Sequence, residues 1–270
     1  MALIPLAISA PDRPSHPADP ATISSRTPFS LQNAVRLGAF AAEQGRGAWG
    51  ESSWAAGVAA RRASVILAND WASSRDALAN TLERQRPNLL LVGAMTLSFR
   101  GAIEIAKLAK LILGPDVLVA LGGRHANETM FSEGRQVAHH HASPLVLMAS
   151  GRVPPVFDLV VAGEGEGPIE MLGEMVARGV SHGTAAADTV SLDELGRAPG
   201  QWVAGRHTRG LVETVVSRGA PLDRDALPIP VELFGVGATR FDFFDAPTAH
   251  VMSDSGGGCV YDCRFCSERR

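Results

Sequence analysis

The chain carries three cysteines, Cys259, Cys263 and Cys266, all within eight residues. An odd number so closely spaced makes a poor disulfide framework and favours metal ligation in a reducing compartment. Three thiolates in one loop can wrap a cubane iron–sulfur cluster and hold three of its irons. The fourth iron is then open to a substrate. Gly256-Gly257-Gly258 precede the first cysteine and remove side-chain bulk where backbone must approach a cluster. The alternative is a Cys3His zinc site with His250 as the fourth ligand. Structural zinc prefers a closed set of four, commonly as separated ligand pairs, and three cysteines in one tight group suit that poorly.

Three loops hold the other residues of chemical interest: Met95-Thr96-Leu97-Ser98-Phe99, Gly122-Gly123-Arg124-His125-Ala126 and Gly163-Glu164-Gly165-Glu166. Each follows a short apolar run and is expected just past the end of a strand. Glu164 and Glu166 alternate with glycine, which suggests a turn with a ligand contact rather than an acid–base pair. His139-His140-His141 lies in an inserted segment and reads as solvated surface, because adjacent helical residues point in different directions.

The elements that must position these loops alternate between strand and helix. Strands are expected over residues 2–8, 64–68, 89–92, 116–121 and 157–162, with Pro5 marking the first as an edge strand. Helices are expected over 31–44, 77–85, 99–113 and 168–179, with Ser30 capping the first and Gly114-Pro115 stopping the third. The strands are continuous apolar runs, which a parallel sheet covered on both faces requires. The expected architecture is α/β: a doubly wound, Rossmann-like, parallel five-stranded sheet over residues 1–180. Ligands of such sheets bind beyond the carboxyl ends of the strands, where the three loops fall. Residues 181–248 read as a connecting region with a hairpin pairing 201–205 with 212–217. Residues 249–270 read as the start of a further domain, a strand over 249–252 leading into the cysteines.

The CxxxCxxC spacing, with Phe265 before the last cysteine, resembles the radical S-adenosylmethionine (SAM) enzymes. The resemblance implies a 4Fe–4S cluster on Cys259, Cys263 and Cys266, whose open iron chelates SAM. It places Phe265 beside the SAM adenine and implies one-electron cleavage to a 5′-deoxyadenosyl radical. The order and placement of the three loops resemble the cobalamin-binding domains fused in front of radical SAM domains, over about residues 60–180. That resemblance implies cobalamin contacts at Thr96, Ser98, Gly122, Gly123, His125, Gly163, Glu164 and Gly165. A corrin is broad and flat, so it needs small residues along a sheet edge, and its amides need hydroxyl and backbone partners. The D-x-H-x-x-G motif of a cobalt-ligating histidine is absent from the sequence.

Together these resemblances imply the N-terminal part of a cobalamin-dependent radical SAM enzyme, with methyl transfer to an unactivated carbon as the favoured reaction. A small-molecule or peptide substrate and an electron donor such as flavodoxin or ferredoxin are implied partners. A non-catalytic cobalamin-binding carrier or sensor is the alternative, and a zinc-stabilised interaction protein the third reading. A radical SAM barrel needs about 200 residues beyond its first strand, judged from the roughly 250 of a full (β/α)8 barrel. Four residues follow Cys266. The 270-residue chain is therefore expected to be inactive alone, the rest of the barrel coming from a longer chain or a second polypeptide.

Composition narrows the classes. Lys and Arg number 25 against 28 Asp and Glu, a net charge of −3, so no basic excess points to nucleic acid. No apolar run reaches the roughly 18–20 residues that span a bilayer. The opening residues lack the basic leading segment of a secretory signal, and a cytoplasmic protein without a membrane partner is expected. With 46% apolar and 20% charged residues, wholesale disorder is excluded.

Overall fold

The computed structural model describes residues 2–10, 37–55, 65–67, 71–223, 227, 241–243 and 246–248. Cys259, Cys263, Cys266, Phe265, His250 and the expected strand over 249–252 lie outside the described residues.

The strands are β1 (Pro5–Ser9), β2 (Val65–Leu67), β3 (Leu89–Gly93), β4 (Leu118–Gly122), β5 (Met130–Glu133), β6 (Gln136–His139), β7 (Leu159–Gly163), β8 (Trp202–Thr208), β9 (Leu211–Val216), β10 (Phe241–Phe243) and β11 (Ala246–Thr248). Seven of them form one sheet in the order β2-β1-β3-β4-β7-β8-β9. The first five in that order are parallel. The fold is thus α/β with a mostly parallel sheet, compatible with a Rossmann-like architecture. β5 with β6 and β10 with β11 form separate antiparallel pairs.

The apolar runs explain why this sheet is covered twice. Leu89, Leu91, Leu118, Ala120, Leu159 and Val161 pack in one core cluster, and the intervening Leu90, Val92, Val119, Leu121, Val160 and Ala162 in another. Successive side chains of a strand point to opposite faces, so every position of such a run is buried. The first cluster takes in helical residues 37–43, the short helix α1 (Gly47–Gly50) and α6 (Glu166–Ser181). The second takes in α2 (Trp71–Gln85), α3 (Phe99–Leu113) and α5 (Pro144–Ala149). Two further short helices are α4 (Arg124–Thr129), after β4, and α7 (Leu192–Leu195). Helix α3 has the expected bounds, whereas α2 starts six residues before the expected Ala77 and α6 runs slightly past both expected ends.

Two features correct the sequence reading. β1 is an interior strand, not an edge, lying between β2 and β3. Leu89 N–H donates to the Ile4 carbonyl and Ala10 N–H to the Gly93 carbonyl, so even-numbered peptide groups of β1 face β3. The missing N–H of Pro5 therefore lies on the β2 side, two residues before Ala7, where pairing with Val65 begins. Asn88 anchors this end of β1, accepting from Ile4 N–H at 2.8 Å and donating to the Ala2 carbonyl at 3.0 Å.

The sheet also continues into the stretch expected as a connecting region. The expected hairpin forms, with Val203 opposite Val216 and Thr208 opposite Leu211. Arg209 and Gly210 close it, both with positive φ, as a two-residue turn matching strand twist requires. The hairpin joins the sheet because β8 pairs antiparallel with β7, Gly163 opposite Trp202.

Candidate functional site

The order of the parallel strands reverses between β1 and β3, and sheets of this kind open a crevice beyond the carboxyl ends at that point. The β3–α3 loop borders it with Met95 and Leu97, 46% and 75% exposed. The β4–α4 loop lies alongside. Ala94 N–H donates to the Gly122 carbonyl at 3.1 Å, and His125 N–H donates to the Ala94 carbonyl at 3.0 Å. Between them Gly123 adopts φ +92°, and a Cβ there would sit 2.9 Å from both the nitrogen and the oxygen of Ala94. Only glycine permits both that conformation and that approach. Gly122 is less constrained: the nearest atom to its would-be Cβ is the Val161 carbonyl oxygen at 3.7 Å.

Thr96 and His125, 29 residues apart, meet above this edge. The Thr96 hydroxyl donates to Glu128 Oε2 at 2.5 Å, and His125 Nδ1 lies 3.3 Å from that Thr96 hydroxyl oxygen. A threonine hydroxyl has one proton, so His125 Nδ1 is the donor in the second contact and the neutral ring carries its proton there. Arg124 Nε in turn donates to Glu128 Oε1 at 2.8 Å. His125 is 3% exposed and stacks on Phe99 with centroids 4.1 Å apart. Its Nε2 is buried with no hydrogen-bond partner. Burial pushes the His125 pKa down, reinforced by His140 and opposed by the Glu128 carboxylate and the Ala142 backbone.

Other expected ligand contacts are committed to the fold. The buried Ser98 hydroxyl accepts from Met95 N–H at 3.0 Å and donates to the Met95 carbonyl at 3.2 Å, closing the turn that opens α3. Gly163 has φ +101°, and a Cβ there would lie 2.5 Å from the Gln201 carbonyl oxygen. Its N–H donates to Asn127 Oδ1 at 2.8 Å. Glu164 N–H donates to the Gln201 carbonyl, and its carboxylate accepts from Gln201 N–H. The Gly165 carbonyl accepts from Ile169 N–H at 3.0 Å inside the first turn of α6. These residues seat β8 on β7 and start a helix. Sequence reasoning missed Asn127 and Gln201, which no local motif marks.

Beyond the end of β7 an open cavity of about 620 Å3 is lined by Asn127, Phe131, Gly163, Gly200, Gln201 and Trp202, among others. Its size suits a small ligand, in the roughly 300–1,000 Å3 range of such sites. Of the histidine run, His139 Nδ1 lies 3.3 Å from Ser143 Oγ, and His140 packs against His141. Among the described residues no group of three or more His, Cys, Asp or Glu is arranged to hold a metal ion. Among them, too, no helix is long and apolar enough to cross a membrane.

Comparison of the chain with protein-family models, with curated proteins and with solved structures gives no match.

Proposed function

We propose that the chain is the N-terminal part of a cobalamin-dependent radical SAM enzyme, with methyl transfer as its reaction. The spacing of Cys259, Cys263 and Cys266 carries this reading. The strand order supports it, because it reverses between β1 and β3, and the loop that follows β3 carries the exposed Met95, Thr96 and Leu97. Met95 and Leu97 offer apolar surface to a flat ring, and Thr96 keeps a free lone pair for an amide. Ser98 and Glu164, already hydrogen-bonded within the fold, add little to such a site. When bound, cobalamin supplies a transferable methyl group and the cluster supplies the electron that cleaves SAM. The chain's own residues supply position and exclusion of water.

Anaerobic reconstitution with iron and sulfide tests the cysteine assignment. The expected result is about four irons per chain, as three-thiolate ligation of a cubane requires, and loss of the chromophore when all three cysteines are replaced by alanine. One tightly held zinc with no iron–sulfur chromophore would instead establish the Cys3His site. Titration with hydroxocobalamin tests the second cofactor separately, and no binding at millimolar concentration removes it.

A further inference from the structure

We propose that the cavity beyond the end of β7 is a second small-molecule site, built for an uncharged planar ring with an amide edge, the chemistry of a nucleobase or a nicotinamide. The inference goes beyond the cobalamin reading and does not need it.

The cavity is lined by two carboxamides whose hydrogen bonds the fold does not use up. Asn127 Oδ1 accepts from Gly163 N–H at 2.8 Å. A backbone N–H can only donate, so this contact fixes which end of the amide is oxygen and leaves Nδ2 as a donor. Among the described residues that NH2 has no partner. Gln201 joins the junction with β7 through its backbone N–H and carbonyl alone. Its side chain has no partner among the described residues either, and offers both an acceptor and an NH2. Trp202 packs in the first core cluster and Val203 in the second, so strand alternation puts Gln201 on the Val203 face. The β5–β6 hairpin covers that same face, through Met130 and Val137.

The remaining walls select shape and charge. Phe131 on β5 lines the cavity and is 47% exposed, so it offers ring surface on which a flat ligand can stack. None of the described residues lining the cavity is ionisable. Arg135 and Arg218 line a neighbouring cavity, which shares Val216 and Ser217 with this one, and Asp193 holds Arg218 at 2.7 Å. A charged group seated between the carboxamides would lose water without gaining a counter-ion. An edge with a C=O beside an N–H instead gives Asn127 an acceptor and Gln201 a matched pair.

Amide NMR of the full chain, with uridine and nicotinamide as probes, tests this. Either probe at millimolar concentration should shift the side-chain NH2 signals of Asn127 and Gln201, and the tighter of the two identifies the ring. Nicotinate, the same ring with a carboxylate, should bind about tenfold more weakly than nicotinamide, as loss of a matched hydrogen bond requires. Asn127→Asp keeps the acceptor for Gly163 N–H but loses the donor, and should weaken probe binding about tenfold. Gln201→Leu leaves the backbone junction intact and should weaken it by a similar factor, which keeps the test open if Asn127→Asp does not fold. No shift with either probe, nicotinate binding as tightly as nicotinamide, or unchanged affinity in the folded variants would overturn the proposal. Displacement of the probes by hydroxocobalamin would overturn it too, by assigning the cavity to that cofactor. Probe binding by a chain that takes no hydroxocobalamin would remove the cobalamin reading and leave this site standing.

Discussion

Glu164 and Gln201, 37 residues apart, hold each other twice. Gln201 N–H donates to Glu164 Oε2 at 2.7 Å, and Glu164 N–H donates to the Gln201 carbonyl at 2.9 Å. The pair closes the junction at which an antiparallel hairpin joins a parallel sheet. A carboxylate in a glycine-rich loop at a strand end reads as a ligand contact, and here it is a clasp between two strands.

Replacing Glu164 with alanine removes the charged half of that clasp. The expected loss is on the order of 1 kcal/mol of stability, typical of a hydrogen bond whose donor regains water. Glu164→Gln retains an acceptor and should lose less. Urea unfolding of the three proteins measures this. Unchanged stability in the alanine variant would return Glu164 to the role of a ligand contact.

Gly122 and Gly123 should differ sharply although they are adjacent. Alanine at 123 meets the Ala94 backbone at 2.9 Å in a positive-φ conformation, and about 1–3 kcal/mol of destabilisation is expected. Alanine at 122 meets nothing closer than 3.7 Å and should change stability by less than about 0.5 kcal/mol. Thermal melts of the two variants compare them directly. Equal losses would mean that the two loops are not locked together through Gly123.

Asp158 should make stability fall as pH rises through the acid range. Its carboxylate accepts from Lys110 Nζ at 2.6 Å and from Val119 N–H at 2.7 Å. Burial nevertheless pushes its pKa up; Lys110 and the Val119 N–H oppose this, and Asp188 adds to it. The folded state then holds the proton more tightly than the unfolded one. The stabilisation this gives is complete below the ordinary carboxylate value and is lost as pH rises through it to the raised one. Urea unfolding from pH 3.5 to 7 should show the wild type gaining on Asp158→Asn as pH falls. The opposite trend would mean that the Lys110 pairing outweighs burial.

Cob(II)alamin bound to the chain should show no histidine nitrogen hyperfine splitting in its paramagnetic resonance spectrum. The sequence has no D-x-H-x-x-G motif, and His125, at the proposed edge, is 3% exposed beneath Phe99. Nitrogen splitting that disappears in His125→Asn would show the ring leaving its slot to reach cobalt.

Much of this protein was determined by its sequence alone. Leu89–Val92 and the runs at 118–121 and 159–162 are apolar at every position, and a strand that alternates its side chains across two faces must then be covered on both. The helix Phe99–Leu113 was legible at both ends, from its apolar stripe and from the Gly114 that stops it at φ +59°. The cysteine spacing speaks for thiolate chemistry without any fold. Tertiary structure decided what depends on distant partners. Pro5 sits inside the sheet with its missing N–H on the β2 side, where pairing among the described residues begins at Ala7, a fact about the neighbouring strand. The hairpin belongs to the sheet because Gly163, Glu164 and Asn127 meet residues far from them in sequence. Ser98 turned inward to Met95, while Thr96 and His125 found each other across 29 residues. Periodicity records which face of an element is apolar. It carries no record of which strand edges meet or which polar atoms each meeting uses, and those pairings leave Thr96 beside the crevice and remove Ser98 and Glu164 from it.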